Sequence, residues 1–161
     1  MLTDYITVIQ FIWPIVGGAI GGIAWVNFFQ KKEQRLFKNI RRPISIIATE
    51  EMPMTHEARL LDRVGFFNVT PPQTDGRAPD LLNGSRLLIL GYSPNSEKFR
   101  VALAAAKQRE IPVIVYAGPS RITTEDMNLL QKYSLHSMCN TPLRLISDVF
   151  TLMGTYPEEK I

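Results

Sequence analysis

The sequence has few of the residues that build disulfides and metal centres. It contains a single cysteine, Cys139, so no disulfide can form within the chain. Because Cys139 falls in a predicted strand, we expect a buried and unreactive thiol. The two histidines, His56 and His136, lie far apart in the sequence. We therefore expect no metal site and no bound cofactor, which excludes the disulfide-stapled and zinc-dependent classes of small protein.

Charged residues are absent from Tyr5 to Gln30. A helix of about 20 apolar residues crosses a hydrocarbon core roughly 30 Å thick, so we predict one transmembrane helix over Tyr5–Phe29, within residues 1–30. A cleaved signal peptide carries basic residues before its apolar run, whereas this chain has Asp4 there. The segment is typical of a permanent anchor, whose partner is the lipid bilayer.

Positive charge is concentrated directly after this apolar run. The linker of residues 31–43 has one acid, Glu33, against the basic residues Lys31, Lys32, Arg35, Lys38, Arg41 and Arg42. By the positive-inside rule, the linker stays in the cytoplasm. We therefore expect a single-pass protein of the inner (plasma) membrane, with its N-terminus outside and its C-terminal domain in the cytoplasm. Because nucleic-acid-binding domains spread basic residues over their folded surface, duplex nucleic acid is not an expected partner.

Glycines form a stripe within the predicted span. Gly17 with Gly21, and Gly18 with Gly22, are each four residues apart and so lie on one helix face. Small residues at this spacing let two membrane helices approach closely, and Pro14, one turn earlier, kinks the helix. We therefore predict that the span self-associates into a homo-oligomer. Any channel would need such an oligomer, because a single helix cannot enclose a pore. Incidental flexibility of the helix is the alternative interpretation.

After Pro43 the hydrophobic pattern changes to short β-branched runs. The predicted strands are apolar throughout rather than alternating, which is typical of a parallel sheet covered on both faces. We predict an α/β domain over residues 44–155, with a five-stranded parallel sheet and helices on both faces, followed by a polar tail of residues 156–161. The predicted strands are Ile44–Ala48, Phe67–Thr70, Arg86–Tyr92, Pro112–Ala117 and Leu135–Cys139.

Helices are predicted between the strands from caps and apolar spacing. The expected starts are Thr55, Ser93–Ser96 and either Thr123 or Thr124, and Gly65 ends the first helix. The next helices cover residues 79–83, 97–110 and 125–133, and the closing helix begins at Asn140-Thr141-Pro142. In the closing helix the residues expected to face the core are Leu143, Ile146, Val149, Phe150 and Met153.

The order of these elements resembles a response-regulator receiver domain from Ile44 to Met153. Two features are similar to that family's pattern: the acids Glu50 and Glu51 after the first strand, and the Thr141-Pro142 step after the last. The resemblance implies a flavodoxin-like topology.

The catalytic residues of receivers have no counterparts in this chain. Receivers carry a phosphoacceptor aspartate at the end of the third strand, where this chain has Gly91-Tyr92. They carry a hydroxyl after the fourth strand and a lysine before the last proline, where this chain has Ala117 and Thr141. The resemblance therefore implies a degenerate receiver in which phosphotransfer is not expected.

A second resemblance is to TIR domains, which share this topology. GYSPNS at residues 91–96 and IPVIVYAG at residues 111–118 are similar to their central region. Enzymatic TIR domains place a glutamate one or two turns into the intervening helix, to act on the ribose of NAD. Here Arg100–Ala106 contains no acid, and Glu97 lies at the helix start, where it complements the helix dipole. We therefore do not expect an enzyme, and a TIR-like NAD hydrolase stays an alternative.

Polar residues gather where the predicted strands end. In open parallel sheets, ligands bind beyond the carboxyl ends of the strands, and helix starts with an arginine nearby suit phosphate groups. A nucleotide-type ligand is one interpretation of this set, and ordinary caps and turns are the other. With Thr49 beside them, the candidate ligand-binding residues are Glu50, Ser93, Asn95, Ser96, Gly118, Ser120, Arg121, Asn140 and Thr141.

A ligand-capable fold without catalytic residues, joined by a short linker to a glycine-striped helix, predicts a non-enzymatic signalling protein. Our leading hypothesis is that the domain senses a nucleotide messenger or a protein partner and controls oligomerisation of the membrane helix. The architecture resembles small membrane effectors of bacterial anti-phage defence, in which such a messenger drives assembly and permeabilises the membrane. The alternative is a membrane-tethered scaffold that recruits a protein partner, which exposed apolar side chains on the closing helix would favour.

Overall fold

A computed structural model describes residues 21–23, 25–74, 80, 82–118 and 122–155. The chain divides into two compact units, Met1–Phe37 and Lys38–Ile161. The described residues of the first unit are all helical, and the second unit holds an α/β domain.

The helix of the first unit comprises residues 21–23 and 25–37, and its side chains are exposed. A Cβ atom added at Gly21 or Gly22 would meet no heavy atom within 4 Å, so this part of the glycine stripe is open. The other two glycines of the stripe, Gly17 and Gly18, and most of the predicted span lie outside the described residues. Among the residues that are described, no helix has the length and apolar character needed to cross a membrane.

The second unit is built on a five-stranded sheet. Its strands are β1 (Pro43–Ile47), β2 (Asn68–Val69), β3 (Leu87–Gly91), β4 (Val113–Tyr116) and β5 (His136–Cys139). They lie in the order β2-β1-β3-β4-β5, and every neighbouring pair is parallel. This is the flavodoxin-like strand order. The predicted five-stranded parallel sheet is therefore confirmed.

Four helices follow β1 in the described part of this unit. They are α1 (Thr55–Arg63), α2 (Glu97–Gln108), α3 (Thr124–Gln131) and α4 (Pro142–Thr155). On one face of the sheet, Ile89 packs with Leu145 of α4, and on the other, Leu88 packs with Phe99 of α2. Because successive strand residues point to opposite faces, both Leu88 and Ile89 are fully buried. This two-sided burial explains why the strands are apolar throughout, and it confirms helices on both faces.

The start of α1 differs from the prediction. Thr55 is the first helical residue, and Met54 is the N-cap, with φ 55° and no side-chain hydrogen bond to the helix. Met54 is 1% exposed, so its side chain is drawn into the core rather than used as a cap. The other two predicted starts are confirmed, since Ser96 caps α2 and Thr123 caps α3.

The inward face of α4 also differs from the prediction. Val149 and Met153 are buried as predicted, but the third core residue is Leu145. Leu143 is 78% exposed and Phe150 is 43% exposed, so their prediction as core residues is wrong. The buried stripe has a strict spacing of four residues, which turns the helix so that Leu143 and Phe150 lie beside the stripe rather than in it.

The sheet edge beside β1 is irregular. After β2, Gln73 pairs with β1 again: its N–H donates to the carbonyl of Ile46, and its carbonyl accepts from the N–H of Ala48. Pro71 and Pro72 lie between β2 and Gln73. They interrupt the ladder because proline has no backbone N–H to donate.

Candidate functional site

The loop after β1 fills the place where a receiver would carry its phosphoacceptor. By the resemblance, that place falls at Gly91-Tyr92, and Gly91 is the last residue of β3. A Cβ atom at Gly91 would lie 3.0 Å from the carbonyl oxygen of Met52 and 3.1 Å from Cγ of Met54. Both distances are below ordinary van der Waals contact. A side chain here would therefore require Met52 and Met54 to shift by a few tenths of an ångström, and a carboxylate group would require a larger movement of the loop.

The loop from Thr49 to Met54 is folded tightly over this place. The N–H of Thr49 donates to the carbonyl of Met52 at 3.1 Å, and the N–H of Met52 donates back at 3.2 Å. Met54 holds a left-handed φ of 55°, a conformation that costs free energy for a residue with a long side chain. Glu50 and Glu51 are exposed residues of the same turn. The acidic pair is therefore on the surface rather than in an enclosed pocket.

One polar group in this loop has an unused hydrogen-bonding capacity. Thr49 is 2% exposed, and its hydroxyl has no hydrogen-bond partner among the described residues. A buried hydroxyl left without a partner typically costs about 1–3 kcal/mol. Thr49 lies just beyond the carboxyl end of β1, at the edge where the sequence predicts a ligand.

A buried carboxylate, Asp126, ties the end of β3 to the first turn of α3. It is 1% exposed. Three side chains donate to it: the Tyr92 hydroxyl at 3.0 Å, the Thr123 hydroxyl at 2.9 Å and Arg100 Nε at 3.0 Å. The Tyr92 hydroxyl also accepts from the backbone N–H of Thr123 at 2.9 Å. These four residues, Tyr92, Arg100, Thr123 and Asp126, are called the Asp126 cluster below.

Arg100 supplies the positive charge that the cluster needs. Its hydrogen bond to Asp126 raises the pKa of the Arg100 guanidinium, so the cation is permanent. Arg100 also contacts Glu125 at 3.2 Å, but the Glu125 side chain is 81% exposed and adds little. Buried charges are tolerated when they are paired and hydrogen-bonded. The cluster meets this condition. Because Asp126 is buried, the cluster is better suited to holding the end of β3, α2 and α3 together than to binding a substrate.

Four of the predicted ligand-binding residues serve local structure. The Ser96 hydroxyl accepts from the first turn of α2, and the Thr141 hydroxyl accepts from the backbone N–H of Arg144 at 3.4 Å in α4. Asn95 holds a turn with φ 57°, and the buried Ser93 accepts the N–H of Ser96 through its carbonyl. These local roles are those expected from the alternative interpretation as caps and turns, and the binding of a ligand by these residues stays a prediction.

The remaining predicted ligand-binding residues divide into two groups. Glu50 and Asn140 are exposed, and Gly118 is half-buried, each just after a strand. Ser120 and Arg121 lie outside the described residues. The proposed phosphate contact from Arg121 therefore stays a prediction.

A groove of about 330 Å³ lies between α1 and the end of β2 with the segment that follows it. Its volume is at the low end of small-molecule sites, which begin at about 300 Å³. No predicted ligand-binding residue lines it. The lining residues are Thr55, Ala58, Arg59, Asp62, Val69, Thr70, Pro71 and Pro72.

Two buried groups at the ends of β4 and β5 are unsuited to nucleophilic chemistry. Burial raises the pKa of Cys139 to about 12, so its thiol stays protonated at neutral pH. The expected burial of this thiol is confirmed, since Cys139 is 4% exposed. Burial, with a further contribution from Glu57, also raises the pKa of Tyr116 to about 12. Within the described ranges, no three His, Cys, Asp or Glu side chains are grouped so as to hold a metal ion.

The Asp126 cluster was not predicted from the sequence. One signal for it was present, because Thr123 is followed three residues later by Asp126, the spacing of a capping box. No pattern connects this pair with Tyr92 or Arg100, which come from the end of β3 and from α2. Only the packing of the helices on the sheet brings the four side chains together.

The strand order and the two helical layers define a domain with the fold of a response-regulator receiver. Solved structures agree. The receiver domain of the Francisella response regulator 1452 matches 70% of this chain and 97% of its own, with a TM-score of 0.54 and 15% identity. A CheY-like receiver domain protein from Methanospirillum hungatei matches 70% of this chain and 94% of its own, with a TM-score of 0.53 and 16% identity.

A protein from Burkholderia pseudomallei, described as pilus assembly-related, is similar as well. It matches 76% of this chain and 96% of its own, with a TM-score of 0.56 and 13% identity. At such identities the likeness shows the fold alone. No family model matches the sequence, and no curated protein matches it significantly.

Proposed function

We propose that this protein is a membrane-anchored signalling adaptor whose receiver-like domain acts by binding a protein partner, without phosphotransfer. The observation that carries this proposal is the close packing of Met52 and Met54 against Gly91, where a Cβ atom would lie only 3.0 Å from the Met52 carbonyl oxygen. A receiver-like domain that does not carry out phosphotransfer can still act by binding other molecules at its surface. The packing at Gly91 therefore favours the membrane-tethered scaffold over the ligand-controlled effector, which is the leading hypothesis from the sequence alone.

The partner-binding surface is proposed on α4. Leu143 and Phe150 are seven residues apart and therefore share one side of this helix. Both are large apolar residues, with 78% and 43% of their surfaces exposed. The Phe150 ring also makes an edge-to-face contact with Phe67, with 6.0 Å between centroids, so it is held in place before a partner arrives. Pre-positioned aromatic and aliphatic groups are the usual anchors of protein interfaces.

The anchor is proposed at the N-terminus. The uncharged run from Tyr5 to Gln30, followed by the basic linker, supports a single span with the adaptor domain on the cytoplasmic side. A tether of this kind would concentrate a recruited partner at the membrane surface.

Substitution of Leu143 tests the adaptor directly. Leu143→Glu is expected to weaken capture of the partner by at least about 10-fold, because a charge replaces a desolvated apolar anchor. Thr151→Glu, on an exposed position of the same helix, serves as the matched control and is expected to bind normally. The measurement is affinity capture from the native membrane fraction, identification of the partner, and titration of the purified partner. Equal affinities for the two variants would rule out this surface.

A ligand-controlled effector is the second candidate, and the unpartnered Thr49 hydroxyl favours it. A nucleotide messenger that bonds to Thr49 would open the loop over Gly91, drive oligomerisation of the span and permeabilise the membrane. Proteoliposomes filled with dye are then expected to leak when cyclic oligonucleotides are added, and Thr49→Val to abolish leakage without loss of folding. Absence of both binding and leakage would remove this candidate.

A TIR-like NAD hydrolase has no such support, since Glu97 is an exposed residue at the helix start.

A further inference from the structure

Basic and apolar side chains share one half of the helix in the first unit. Successive helical residues are rotated by about 100°, which places Lys31, Lys32 and Arg35 within an arc of about 100°. The large apolar residues Trp25, Phe28, Phe29 and Leu36 fall on or next to the same arc. These seven residues form what is called the basic–aromatic half below.

The side-chain contacts agree with this placement. Lys32 Nζ lies 4.6 Å from the centre of the Phe28 ring, so a cation and an aromatic ring are direct neighbours. The rings of Trp25 and Phe29 are 4.9 Å apart. Between 41% and 66% of the surfaces of Trp25, Phe28, Phe29 and Leu36 are exposed.

The opposite half of the helix has a different composition. It carries the single acid, Glu33, and the neutral polar residues Asn27, Gln30 and Gln34. The apolar Ile23, Val26 and Phe37 are also on this side. The next residue of the same helix, Lys38, lies at the boundary between the two halves, beside Lys31, so the basic residues of the helix occupy about one third of its circumference. The positive charge of this unit is therefore directed to one side, whereas a collar that only sets topology needs no preferred side.

We propose that, where the helix leaves the bilayer, the basic–aromatic half contacts the headgroup region of a membrane that contains anionic phospholipid. Amphipathic rings and basic side chains are the residues that proteins place at this boundary, where the rings reach the acyl region and the cations meet the headgroups. Over residues 31–35 a second copy of the helix is a poorer occupant of this half, because a symmetric pair would bring Lys31, Lys32 and Arg35 of both copies together. The self-association predicted for the glycine stripe concerns residues 17–22, nearer the N-terminus. The inference rests on the anchor in the proposed function, since the anchor brings the helix to the bilayer.

Full-length protein in lipid nanodiscs tests this proposal. One variant carries an environment-sensitive dye at Leu36→Cys, on the basic–aromatic half, and another carries it at Gln34→Cys, on the opposite half. The native Cys139 is 4% exposed and does not compete for the label. Dye emission is compared between discs of phosphatidylcholine and discs that also contain phosphatidylglycerol. A blue shift is expected at Leu36→Cys in the anionic discs only, and no shift at Gln34→Cys.

Charge removal provides the second arm. The triple variant Lys31→Gln, Lys32→Gln, Arg35→Gln is expected to lose the blue shift. A matched triple, Arg63→Gln, Lys107→Gln, Lys132→Gln, removes the same charge from exposed positions of the domain and is expected to keep it. Equal emission at the two dye positions, or a shift that survives the first triple, would overturn the proposed surface.

Failure of the anchor gives a different result. A chain that does not enter nanodiscs has no span. Flotation with preformed vesicles then tests whether the basic–aromatic half binds a bilayer without the anchor. Flotation with anionic vesicles that falls on the order of 100-fold in the first triple supports the surface. No flotation of the unmodified chain overturns it.

Discussion

Gly91→Asp is expected to destabilise the domain strongly and to leave it unable to accept a phosphoryl group. The added Cβ alone would lie 3.0 Å from the Met52 carbonyl oxygen, and the carboxylate would face that oxygen without a partner. Overpacking costs about 1–3 kcal/mol, and burial of an unpaired polar group adds to this. We therefore expect a loss of roughly 3–5 kcal/mol for Gly91→Asp, measured by urea denaturation.

Two variants separate the causes of this loss. Gly91→Ala adds only the Cβ atom and is expected to cost about 1–3 kcal/mol. Gly22→Ala places a Cβ in open space and is expected to leave the unfolding of the domain unchanged. If Gly91→Asp were as stable as the native chain and became labelled by acetyl phosphate with Mg²⁺, the loop would be mobile, and the adaptor proposal would lose its main support.

Asp126→Asn is expected to give the second large effect. The substitution keeps the shape of the side chain but removes the charge that accepts from Tyr92, Thr123 and Arg100. It also places an amide NH2 group, which is itself a donor, opposite the groups that donate to Asp126. Loss of hydrogen bonds to a charged group, with a buried donor left unsatisfied, corresponds to roughly 2–4 kcal/mol of unfolding free energy. The Arg100 side chain is 40% exposed, so water compensates part of its loss.

The matched control is Glu125→Gln, which removes the neighbouring carboxylate that contacts the same arginine. Because Glu125 is 81% exposed, we expect a change within about 0.5 kcal/mol. Hydrogen exchange gives the local readout: the N–H of Thr123, which donates to the Tyr92 hydroxyl, is expected to lose protection in Asp126→Asn and to keep it in Glu125→Gln. Equal stability and exchange in the two variants would mean that the cluster does not tie β3 to α3.

Most of the domain fold was predictable because its signals repeat along the chain. Each strand is a short apolar run, and such runs indicate two-sided burial wherever they occur. Ser96 and Thr123 were recognisable as caps since a cap is a local arrangement within one turn. The phase of α4 was not predictable in the same way, because Leu143, Leu145 and Phe150 are all apolar and the pattern fits more than one face. The sheet selects Leu145, and this choice leaves Leu143 in solvent.

The candidate site was less predictable, because it too depends on contacts between separate elements of the fold. The absence of a phosphoacceptor could be inferred from Gly91 alone. The filling of that place by Met52 and Met54 could not, since it depends on how the loop after β1 folds over β3. The hydroxyls of Ser96 and Thr141 suit a ligand or a cap equally well in the sequence, and the first turns of α2 and α4 use them as caps.

By itself, the sequence determined the parallel α/β fold and the absence of a carboxylate at Gly91-Tyr92. Both follow from which residue types stand at which positions along one strand or one turn. The tertiary structure decided how side chains from separate elements meet. The closure of the loop over Gly91, the convergence of Tyr92 and Arg100 on Asp126, and the exposure of Leu143 depend on contacts between residues far apart in the chain. The pattern of a single segment carries no information about such contacts.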